Sequence, residues 1–101
     1  MAATVTTSED LKIIRGNVSA EGKRTAGHGF KVLKMSTGKY GISFNTDFAE
    51  TPTIVATVYG DGYTPLDNAL IADINTDQAV IHTCDSEGHY ADRPFTFIAM
   101  G

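Results

Sequence analysis

The sequence predicts an all-β sandwich of about seven antiparallel strands, and two observations carry the prediction. Short runs with period-two apolar alternation recur between turn signals, and no stretch sustains a helical period. The 101 residues make one small domain, residues 11–101, behind a small and polar lead-in at residues 1–10 that reads as flexible or pinned by a partner.

The first run, residues 11–19, carries Ile13, Ile14 and Val18. A loop at 20–29 follows, with Glu21-Gly22 as a turn signal and three glycines. Residues 30–36 set Phe30, Val32 and Lys34 on one face against Lys31, Leu33 and Met35 on the other. Thr37-Gly38 is a two-residue hairpin turn. Residues 39–45 give the clearest alternation, with Tyr40, Ile42 and Phe44 forming a core face. Residues 47–50 have room for one helical turn before Pro52 opens the β-branched run at 53–59. A long loop, 60–68, leads to a hairpin of runs 69–74 and 78–84 that turns at Asn75-Thr76-Asp77. The second long loop, 85–93, precedes the closing run at 94–101.

The doubly apolar runs have a consequence for assembly. Ile54, Ala56 and Val58 oppose Val55, Thr57 and Tyr59; Phe95, Phe97 and Ala99 oppose Thr96, Ile98 and Met100; Leu70 and Ile74 oppose Ala69 and Ile71. An isolated sandwich shows a polar outer face on such strands, so a second buried surface is expected. In a domain this small, another copy is the natural source; the chain's own loops are the alternative.

Composition narrows the function classes. The formal net charge is −4 and the densest basic pair is Lys23-Arg24, too little to track a phosphate backbone, so no nucleic-acid partner is expected. No run approaches the ~20 apolar residues of a membrane span, and residues 1–10 lack the basic start and apolar stretch of a signal peptide. Cys84 is alone, so no intrachain disulfide forms. There is no nucleophile elbow, phosphate loop or dinucleotide fingerprint, so neither catalysis nor a cofactor is expected.

Three clusters are candidates for chemistry. His82 and Cys84 fall on one strand face, and His89 is placed to return from the loop as a third ligand for zinc or nickel; a half-buried His and Cys at a packed face is the alternative. The loop 60–68 supplies Asp61, Tyr63, Asp67 and Asn68, which are carboxylates and an amide for sugar hydroxyls beside an aromatic face. The loop 85–93 adds His89 and Tyr90 to a recognition surface, with Asp92 and Arg93 as a bracing surface pair.

Five segments also carry a family resemblance. They are Glu9-Asp10-Leu11-Lys12-Ile13-Ile14-Arg15-Gly16, Gly27-His28-Gly29-Phe30-Lys31-Val32, Thr37-Gly38-Lys39-Tyr40-Gly41-Ile42-Ser43-Phe44, Phe48-Ala49-Glu50-Thr51-Pro52-Thr53-Ile54-Val55 and Asp92-Arg93-Pro94-Phe95-Thr96-Phe97-Ile98-Ala99-Met100-Gly101. Together they resemble small β-sandwich modules found at the C-termini of phage tail-fibre and collagen-like proteins and as free-standing bacterial proteins. Residues 42–101 are more distantly similar to the H-type lectin fold, a trimer that binds N-acetylgalactosamine-type sugars through loops at its rim. The resemblance implies a homotrimer, and the outer faces of the doubly apolar runs make Val55, Thr57, Tyr59, Ile98 and Met100 the candidate interface residues. It also implies a glycan or cell-envelope receptor as partner, His89 and Tyr90 as sugar contacts, and a virion-associated or extracellular setting; without it, a cytoplasmic one is expected. The lectin pattern places an Arg after the Asn that opens its fifth strand, whereas Asn68 here is followed by Ala69 and Leu70. The alternative role is a structural trimerisation module of a phage fibre, virion or surface assembly.

Overall fold

The structure, a computed structural model, describes residues 11–101; the expected lead-in at 1–10 lies outside the described residues. The described chain is all β. Its eight strands are β1 (Ile13–Val18), β2 (Arg24–Gly27), β3 (Phe30–Ser36), β4 (Lys39–Phe44), β5 (Thr53–Val58), β6 (Asn68–Ile74), β7 (Gln78–Cys84) and β8 (Phe95–Met100). They form two antiparallel four-stranded sheets, β2-β1-β8-β5 (sheet A) and β3-β4-β7-β6 (sheet B).

Period-two alternation decides which residues meet between the sheets. Sheet A sends in Val18, Phe95, Phe97 and Ala99; sheet B sends in Phe30, Tyr40, Ile42, Phe44, Ala79 and Ile81. The rings pack edge to face across the gap, Phe30 on Phe97 at 5.0 Å and Tyr40 on Phe95 at 5.1 Å. Fully burying one such side chain contributes about 1.5–3 kcal/mol. Gly16 makes room for this core, because a Cβ there would strike the Phe30 ring. Tyr40 keeps its phenol in the core by donating to the Ala20 carbonyl at 2.7 Å. Burial raises the phenol above its ordinary value, and the charge of Asp92 adds to the effect.

Three local features differ from the sequence reading. The loop at 20–29 contains a short strand, β2, whose Arg-Thr-Ala-Gly composition carries no apolar alternation. Residues 47–50 form no helical turn, only a bend at Ala49-Glu50; Phe48 tucks into the core, edge-on to Phe44 at 4.9 Å. In β6 the pairing with β7 shifts between Ile71 and Asp73, so the chain gains one residue there. That bulge turns Ile74 to the inner face with Ala69 and Ile71, leaving Leu70 alone outside, opposite His82.

The sandwich has two poles. At one lie the loops joining β1 to β2, β3 to β4, β5 to β6 and β7 to β8. At the other, Lys12 and Gly101 exchange backbone bonds of 2.9 and 3.1 Å, and the Lys12 ammonium reaches the carbonyls of Thr46 and Asp47. No helix of the described residues is long and apolar enough to cross a membrane.

Candidate functional site

The loop pole is held by polar contacts between segments distant in sequence. Gly38, at φ +68°, closes the two-residue turn between β3 and β4. Its N–H donates to Asp92 Oδ1 at 2.8 Å, and its carbonyl accepts from the Thr83 N–H at 2.8 Å. The fully buried Thr83 donates its hydroxyl to the Ala91 carbonyl at 2.6 Å. The Gly38 N–H, above all, holds Asp92 below the usual carboxylate range, and Lys34, 3.2 Å away, adds to this. The front of the same loop is self-contained. Asp85 Oδ1 accepts the N–H groups of Glu87 at 2.9 Å and His89 at 3.0 Å, and these bonds depress its pKa.

Arg93 ties the two long loops together. Its Nε donates to Asp67 Oδ2 at 2.8 Å, and its guanidinium lies 4.8 Å from the centre of the Tyr63 ring. Thr64 donates to the other oxygen of Asp67 at 3.1 Å, and the Asp67 side chain is only 5% exposed. Asp67 is thus engaged inside the loop and presents no free oxygen outward, and Tyr63 has one flank against the guanidinium. The expected side-chain pair between Asp92 and Arg93 does not form; Arg93 bonds the Asp92 backbone carbonyl and the two side chains brace different elements.

Beside this brace, on the outer side of sheet B, lies a hollow of about 330 Å³. Asn68 and Leu70 of β6, His82 and Cys84 of β7, and Tyr90 of the following loop form its walls. Tyr90 is fixed to β7 by a bridge to Cys84, and its ring stands edge-on to His82 at 5.2 Å. The Lys39 ammonium lies 4.7 Å from the ring centre. Burial lowers the His82 pKa, and Lys39, its register partner across β4 and β7, lowers it further. The hollow therefore combines an aromatic face, an amide, an imidazole and a nearby ammonium.

Of the ligand candidates, the structure brings Asn68 and Tyr90 together at the hollow and Tyr63 and Asp67 together at the brace. Asp61 is exposed in its loop, and His89 points to Asp85 and Glu87, at 3.5 and 3.8 Å. The metal candidates His82, Cys84 and His89 are not gathered: His82 packs on Tyr90, His89 faces the carboxylates of its own turn, and among the described residues no three His, Cys, Asp or Glu side chains converge on an ion. Lys39 and Leu70 were not anticipated at the site, since only the strand order places them beside His82. The interface candidates Val55, Thr57, Ile98 and Met100 are exposed on the outer face of sheet A, and Tyr59, also exposed, follows the end of β5.

Two facing antiparallel four-stranded sheets define the class as a β-sandwich domain. No protein-family model, curated protein or solved structure matches the chain.

Proposed function

We propose that the chain is a non-catalytic binding module that recognises a glycan or another hydroxyl-rich cell-envelope receptor at its loop pole. The observation that carries this reading is the presentation of Tyr90, 54% exposed, over a hollow that also offers the Asn68 amide and the His82 imidazole. A sugar ring stacks its C–H face on an aromatic and bonds its hydroxyls to mixed donors and acceptors, which is the chemistry assembled here. The volume suits a small ligand, being at the low end of the roughly 300–1,000 Å³ of such sites. The hydroxyl of Thr83 and the carboxylate of Asp67 are committed to structural bonds, which favours binding over acid–base chemistry at this pole. Affinity per site is then weak, and presentation of several copies on one surface or carrier raises it through effective concentration.

A glycan array with the purified protein, followed by titration of the best ligand, tests the reading. Tyr90→Ala is expected to weaken binding at least tenfold with little loss of stability, because the ring is exposed. Binding to no sugar on the array would remove the proposal. The second reading, a structural module of a fibre, virion or surface assembly, is favoured by the exposed Ile13, Val55, Ile98 and Met100 on the outer face of sheet A. Under that reading Tyr90→Ala changes nothing measurable in assembly or binding.

A further inference from the structure

The four edge strands of the two sheets are not treated alike. An open edge is a template for another strand, and proteins blunt it by shortness, charge, bulges or inward-pointing charges. β2 has four residues, begins with Arg24 and meets β1 through a register shift. β3 carries Lys31 and Lys34, and its register shifts between Lys34 and Ser36; Lys34 leans inward to pair with Asp92. β6 has the bulge before Asp73. β5 has none of these devices; β6 of the facing sheet runs close beside it but forms no backbone ladder with it. Its sequence, Thr53-Ile54-Val55-Ala56-Thr57-Val58, holds no charge and no proline, five of its six residues are β-branched, and its register with β8 is unbroken from end to end.

Burial along β5 shows an unfinished flank. In the rows it shares with β8, Phe95, Phe97 and Ala99 are fully buried, whereas Ile54, Ala56 and Val58 point inward and remain half-exposed. On the outer face of the same strand, Val55 is 65% exposed beside Ile98.

We infer that β5 is a pairing edge whose occupant is the β5 strand of a second copy, antiparallel to it across a twofold axis centred on Val55. Three properties of the strand select its own copy. It has no charge to repel itself, its pattern survives reversal, and an isologous contact closes after two copies and leaves no free β5 edge. With Val55 on the axis, Val55 faces Val55, Thr53 faces Thr57 on the outer side, and Ile54 faces Ala56 on the inner side. Ile54 and Ala56 of one copy thereby extend the core rows of the other, and the two A sheets become one sheet of eight strands. This contact uses no loop-pole residue, sets the two loop poles at opposite ends of the dimer, and favours two copies over three.

Sedimentation at micromolar concentration is expected to give a species of twice the chain mass. Val55→Lys, which brings two ammonium groups together on the axis, is expected to raise the dissociation constant at least tenfold. Leu33→Lys, an equally exposed change on the outer face of sheet B, is expected to leave it unaltered. Val55→Cys under mild oxidation is expected to form a covalent dimer, and Thr57→Cys is not, because Thr57 faces Thr53. The cysteine pair reads the register even if the lysine variant fails to fold. A monomer, a threefold species, a dimer that a folded Val55→Lys leaves intact, or the absence of a Val55→Cys crosslink would overturn the proposal.

Discussion

At the scale of the residue, His82 couples the stability of the fold to pH. Burial on β7 and the ammonium of Lys39 both disfavour the imidazolium, so the folded chain binds a proton there less readily than the unfolded chain, whose value lies near about 6.5. The contribution to stability is complete above that pH and is lost as the pH falls toward the lowered folded value. Asp85 and Asp92 are shifted in the other functional range: their depressed values stabilise the fold above about pH 4 and lose that effect below it. Urea titrations between pH 7.5 and 5 therefore separate the two. Wild type is expected to weaken across this range, and His82→Gln, which does not titrate, is expected to flatten that dependence. An unchanged slope in the variant would assign it elsewhere.

At the scale of the element, the loop pole behaves as one unit because Arg93 joins the segment after β7 to the segment before β6. Removing the guanidinium leaves the nearly buried carboxylate of Asp67 without its charged partner and frees the Tyr63 ring. Arg93→Met is expected to cost about 1–3 kcal/mol in denaturant unfolding and to raise the mobility of residues 60–68 in relaxation measurements. A stability within error of wild type would show that the pair is only a surface contact. This brace joins positions 26 apart in sequence, and no local pattern marks it, which explains why Asp67 read as a ligand group and Arg93 as the partner of Asp92. The strands were far easier to read. Tyr40, Ile42 and Phe44 alternate cleanly, and Thr37-Gly38 has the composition that its tight turn requires. β2 escaped because Arg24-Thr25-Ala26-Gly27 holds no apolar period, its place being set by backbone pairing to β1. The bulge in β6 escaped for a related reason: no glycine or proline announces it, so a strict two-residue count carried Ile74 to the wrong face.

At the scale of the whole molecule, each sheet has two inner and two outer strands, and stability is expected to grade in the same way. β1 and β8 in sheet A, and β4 and β7 in sheet B, are bonded on both sides, and β8 also supplies Phe95, Phe97 and Ala99 to the core. Native-state hydrogen exchange at dilutions where single copies prevail is expected to find the slowest amides on β4, β7 and β8 and faster ones on β2, β5 and β6. Uniformly slow exchange on β5 under those conditions would mean that its outward amides are covered within one copy. The mutual pairing of Lys12 and Gly101 has a further effect on how the domain sits in any larger object. A stalk, bead or neighbouring domain tethered beyond either residue is attached at the far pole of its own copy, so within that copy Tyr90 and its hollow face away from the support.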